Sequence, residues 1–114
     1  MSDYLNTADS GSDEENTETL TEAEIMVARG EAAKLKAEGN DFFGKGDYDQ
    51  ALEKYTGAVN ALKKAKLPKD ALILLNRSAT YLALKRFVPA MNDANQGIYL
   101  SFSVFLSLMI LLYY

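Results

Sequence analysis

With 114 residues the chain has room for one small domain, and with no Cys and no His it lacks thiolate nucleophiles, disulfides, the commonest zinc ligands and a histidine acid or base. The formal charge of −4 is uneven: residues 1–20 hold six acids and no base, while the remainder holds 12 bases and 10 acids, too small a surplus for a nucleic-acid footprint. The acidic start has no apolar run of the secretory kind, which points to a cytoplasmic setting.

Residues 1–20 are rich in Ser, Thr, Asn, Asp and Glu, with too little apolar surface to offset the entropy of ordering, so they read as a disordered acidic leader. Ser10 and Ser12 each have an acid three residues downstream, where phosphorylation would add further charge. Thr21 and Glu24 form a capping box that opens a helix running through Phe43, with Gly46 as its C′ residue. Asp47 caps a second helix whose apolar stripe is Ala51, Leu52, Tyr55, Ala58, Val59 and Leu62. The stretch 66–70, with Pro68 inside it, breaks that helix. A third helix covers Asp70 to Leu84, and a fourth begins at Phe87, with Pro89 tolerable in its first turn.

Leu35, Gly39, Phe42, Ala51, Tyr55 and Ala58 are answered 39 positions later by Leu74, Ser78, Tyr81, Ala90, Ala94 and Gly97. The internal steps of 3, 9, 4 and 3 residues resemble the tetratricopeptide repeat, a helix–turn–helix unit of about 34 residues, and a five-residue insertion at 66–70 makes up the difference. The expected fold is therefore all-α: antiparallel helical hairpins of a two-repeat solenoid, with repeat 1 over about 32–65, repeat 2 over about 71–104, and an extra apolar helix at the C-terminus. The repeat domain is assigned to 21–97 and the apolar segment to 98–114. Small residues at the motif positions let helices approach closely, and Phe42, Tyr55 and Tyr81 fill the spaces between them. Packing accounts for all of these residues, and none suggests catalysis, a cofactor or a metal.

The stretches KLKAEGNDFFGKGDYDQALEKYTGAV and LLNRSATYLALKRFVPAMNDA are similar to the first and second repeats of co-chaperones that hold the acidic C-terminal tails of heat-shock chaperones. The resemblance implies a non-enzymatic adaptor whose groove grips a terminal carboxylate through a clamp. Lys36 and Asn40 match the clamp's first element and Asn76 its second. At i and i+4, Lys36 and Asn40 share one helical face. An ammonium and two amides suit a carboxylate, because all three donate hydrogen bonds without changing protonation. The clamp's remaining Lys and Arg belong to a fifth helix with no counterpart here, so the resemblance implies a domain truncated after two repeats and a partial clamp that binds weakly.

Ile98 to Tyr114 holds 17 residues without a charge. Three readings stay open for it: a membrane anchor with the repeats on the cytosolic side, a continuation of the fourth helix packed on the hairpins, or the end of a truncated product. Two repeats with an exposed apolar segment also suggest self-association.

Overall fold

The computed structural model describes residues 19–113, so most of the acidic leader, including Ser10 and Ser12, lies outside the described residues. Among the described residues four helices follow in order: α1 (Glu22–Gly44), α2 (Tyr48–Lys64), α3 (Ala71–Ala83) and α4 (Phe87–Tyr113). α1 pairs with α2 and α3 with α4, α2 packs on α3, and α1 touches α3 along one edge. This is the stacked-hairpin arrangement that the 39-residue echo implies.

Local chemistry sets the helix ends. At the start of α1 the Glu24 amide donates to Thr21 Oγ1 at 3.2 Å and the Thr21 amide donates to Glu24 Oε2 at 2.8 Å, which completes the capping box. Asp47 Oδ1 accepts from the Gln50 amide, and Asp70 Oδ1 accepts from the amides of Leu72 and Ile73, so both acids serve as N-caps. The backbone and side-chain hydrogen bonds from Thr21 hold the Glu24 pKa below its ordinary 4.5. A lowered carboxylate pKa stabilises above the unfolded value and loses its contribution as pH falls through the folded one. The first turn of α1 should accordingly fray only below pH 4.5. Carbon-13 Cα shifts of residues 21–26 in an acid titration check this, and Thr21→Ala, which removes the hydroxyl but keeps the backbone donor, should move the transition upward and reduce it.

The echo extends to the backbone of the turns. In the first hairpin the Gly46 amide donates to Phe43 O at 3.0 Å and the Asp47 amide to Phe42 O at 2.9 Å; in the second, Lys85 donates to Leu82 O and Arg86 to Tyr81 O at the same two distances. Every donor and acceptor is displaced by 39 positions. The pivotal residue is left-handed in both, Gly46 at φ 78 and Lys85 at φ 61; the first copy uses the residue that this conformation favours, and the second tolerates a lysine.

Alanines make the helix contacts close. Ala51, Ala58 and Ala90 are almost wholly buried, and Tyr55, Ile73, Leu74 and Thr80 are the largest fully buried side chains. Gly97 belongs to the same class, since a Cβ there would lie 2.8 Å from Leu75 Cγ and 3.3 Å from the Ala71 carbonyl oxygen. α3 and α4 therefore cross most tightly where α3 begins.

That crossing decides the fate of the apolar segment. It is helical, joined to the repeat part of α4 without a break, but it does not fold back onto the hairpins. α3 has 13 residues and α4 has 27, so at about 1.5 Å per residue α4 outruns its partner by roughly 20 Å. Among the described residues no helix faces α4 beyond Gly97, and the large apolar side chains from Ile98 to Tyr113 are almost all exposed.

Candidate functional site

α1 and α3 lie side by side on one surface of the stack, and the three residues singled out by the sequence project from them. Asn40 and Asn76 are brought into direct contact: Asn76 Nδ2 donates to Asn40 Oδ1 at 3.2 Å. Both line a cleft of about 240 Å³ with Phe43, Gly44, Tyr55 and Ala79. Behind Asn76, the Thr80 hydroxyl donates to the Asn76 backbone carbonyl at 2.9 Å. Asn40 is fixed from below by Tyr55 of α2, whose hydroxyl donates to Asn40 Oδ1.

Lys36 stands one turn earlier on α1 and does not line that cleft. It borders an adjoining one of about 390 Å³, shared with Arg29, Ala32, Ala33, Leu62, Leu67, Pro68, Lys69, Asp70 and Ile73. Among the described residues no ion pair neutralises its ammonium. The two clefts follow successive turns of the α1/α3 edge, the first carrying three cations and the Asp70 carboxylate that caps α3, the second carrying amides. Glu38, between Lys36 and Asn40 in sequence, is turned to the other side, where it pairs with Lys54 of α2 at 3.3 Å. The acid therefore does not oppose an anionic ligand.

Three contributors escaped the motif. Arg29 lies seven positions before Lys36, two turns along the same face, a spacing that could have revealed it. Lys69 comes from the insertion, whose path the sequence does not specify; its Nζ donates to Gln96 Oε1 at 2.6 Å, a neutral partner that leaves the charge in place. Tyr55 reads as packing alone from its motif position, and the residue is indeed only 2% exposed. Burial raises its pKa above the ordinary 10.0, so the phenol stays protonated.

A second polar structure supports the edge from behind. Arg77, next to Asn76, donates from Nε and Nη2 to the two carboxylate oxygens of Asp93 at 2.6 and 2.8 Å. This fork joins α3 to α4. The Ser78 hydroxyl adds a buried hydrogen bond to the Ala90 carbonyl at 2.7 Å.

Comparison with known proteins places this arrangement among relatives. The chain is 31% identical over 111 residues to small glutamine-rich tetratricopeptide repeat-containing protein 2 of Saccharomyces cerevisiae, covering 92% of this chain and 31% of that protein. It is 37% identical over 81 residues to human DnaJ homolog subfamily C member 7, 68% of this chain and 15% of the relative. Zebrafish (Danio rerio) protein unc-45 homolog B is 39% identical over 69 residues, 60% of this chain and 7% of its own length. The chain thus spans less than a third of each of these relatives. No family model matches the sequence, and no solved structure matches the chain.

Proposed function

We propose that this chain, a tetratricopeptide-repeat domain of the kind found in co-chaperones, is a non-enzymatic cytoplasmic adaptor that takes the acidic C-terminal peptide of a heat-shock chaperone onto the α1/α3 edge. The observation that carries the reading is the contact between Asn40 and Asn76 across two helices, with Lys36 one turn away. The amide N–H groups suit the peptide's terminal carboxylate. Lys36, Arg29 and Lys69 suit its acidic side chains, through charge-assisted bonds that need no proton transfer.

Arg29 and Lys69 are exposed and Lys36 is only partly buried, so their charges are screened, and binding should be weak and should fall with ionic strength. Lys36→Ala is expected to weaken a free-carboxylate acidic peptide about tenfold, near the lower limit for charge-assisted hydrogen bonds, while an amidated twin binds less well to either form. Calorimetric titration of both peptides checks this. Affinity that Lys36→Ala leaves unchanged, or equal and negligible binding of both peptides, would sink the reading.

One observation favours a second property, membrane attachment through the end of α4. That helix is long and apolar enough to cross a membrane, and the apolar window is only 6% buried. A core helix of similar composition would be covered. Exposed apolar groups surround the axis: Ile98, Phe102 and Phe105 on one side, Ile110 on another, Val104 and Leu111 on a third. All-round apolarity suits hydrocarbon, whereas a protein groove would cover a single stripe. Leu108→Arg puts a charge near the middle of the segment, at a cost of about 2.5 to 3.5 kcal/mol for insertion. The unmodified chain should therefore resist carbonate extraction from membranes and the variant should not. Recovery of the unmodified chain in the soluble fraction, as a monomer or as an oligomer, counts against attachment.

A further inference from the structure

The Asn40 amide is oriented before any ligand arrives. Its Oδ1 accepts from the Tyr55 hydroxyl, so oxygen, not nitrogen, faces the phenol. The same oxygen accepts from Asn76 Nδ2, so both of its lone-pair directions are used and both N–H bonds of Asn40 Nδ2 are left for the cleft. Asn76 keeps one N–H as well. Tyr55 has no freedom to undo this, because its buried ring lies against α1 where Gly39 leaves no side chain in its way.

We infer that Tyr55 is a positioning residue whose hydroxyl locks the Asn40 amide, so that the cleft presents N–H donors and selects a ligand terminus that only accepts. A carboxylate is such a group. A terminal amide brings two N–H bonds of its own to a surface already supplied with donors, and one of them goes unpaired. This deepens the peptide-binding reading above and rests on it. Lys36 supplies attraction for negative charge in general, whereas Tyr55 supplies discrimination between acid and amide.

Tyr55→Phe tests the lock, since it keeps the ring and removes only the hydroxyl. Free of the lock, Asn40 can turn its oxygen outward and meet an amide terminus equally well. The ratio of free-acid to amidated peptide affinity should drop about tenfold, the effect of roughly one hydrogen bond in each direction, chiefly through loss of acid binding. In the unliganded protein the side-chain amide resonances of Asn40 and Asn76 should move, while those of Asn60, Asn92 and Asn95 stay in place. A fold perturbed in general would move all five. If the unmodified chain discriminates and Tyr55→Phe keeps the full ratio, the lock is wrong and peptide binding stands. If the unmodified chain does not discriminate, the selection role falls with the peptide reading. Unmoved Asn40 and Asn76 resonances would overturn the lock whatever the peptides do.

Discussion

Asp93→Ala is expected to lower the free energy of unfolding by about 3 kcal/mol, the lower end of the range for breaking one side of a buried ion pair. The carboxylate is 3% exposed and takes both prongs of the Arg77 fork. Its removal leaves a guanidinium between α3 and α4 that cannot shed its charge. The hydrogen bond to Asp93 raises the Arg77 pKa against the opposing effect of burial. The Tyr81 ring, 5.7 Å from the Arg77 guanidinium carbon, remains as a weaker partner, and the Arg77 side chain is still 16% exposed, which is why the lower end applies. Against a total stability of about 5 to 15 kcal/mol for an ordinary domain, this is a large fraction. Urea denaturation followed by circular dichroism measures it. Joint replacement, Arg77→Met with Asp93→Leu, should restore most of the loss, because no unpaired charge is left behind. A loss below about 1 kcal/mol for Asp93→Ala would place the pair among solvated surface bridges.

Gly39→Ala comes second, and its sign depends on two opposed effects. A mid-helix Gly to Ala change adds about 1 kcal/mol through helix propensity. At Gly39, however, the new Cβ would sit 2.7 Å from Tyr55 Cε1 and 2.8 Å from Cδ1, and Tyr55 is only 2% exposed. Overpacking of this kind costs about 1 to 3 kcal/mol, so the net change should be destabilising by about 1 kcal/mol. The binding effect should be larger in proportion, because the displaced phenol is the one that holds Asn40. Gly30→Ala is the matched control: nothing lies within 4 Å of its added Cβ, so propensity acts alone and the variant should be more stable than the parent. Equal melting shifts for the two substitutions would remove the close approach of α1 and Tyr55 from the account.

The sequence was most informative where structure depends on near neighbours. Thr21 with Glu24 and Asp47 act as caps as expected, and Gly46 takes the left-handed turn, because each uses partners within a few residues; Asp70, expected as the first residue of the third helix, caps it instead. The 39-residue echo extends to the hydrogen bonds of both turns, so the repeat specifies backbone as well as composition. Of the candidate site, Asn40 and Asn76 meet across the helices as the stacking of two first helices implies. Lys36 occupies the next cleft along the edge, since one helical turn separates it from Asn40. Composition changes near residue 98, but the course of the helix does not. The backbone has no break there, because helix propagation responds to local propensity and nothing between Gly97 and Ile98 interrupts it.

The amino-acid order alone determined an all-α chain of hairpins, the caps at Thr21 and Asp47, the turn at Gly46, and the choice of Lys36, Asn40 and Asn76 as candidates, since periodicity and capping are local properties. Tertiary packing decided the rest. It placed the Tyr55 hydroxyl under an amide 15 residues away, joined Arg77 to Asp93 across 16, brought Asn76 to Asn40 across 36, and delivered Lys69 from the insertion beside Lys36. It also left the end of α4 bare, because a 27-residue helix outlasts a 13-residue partner. Such pairings depend on helix lengths and crossing points together, quantities that arise only when the hairpins pack.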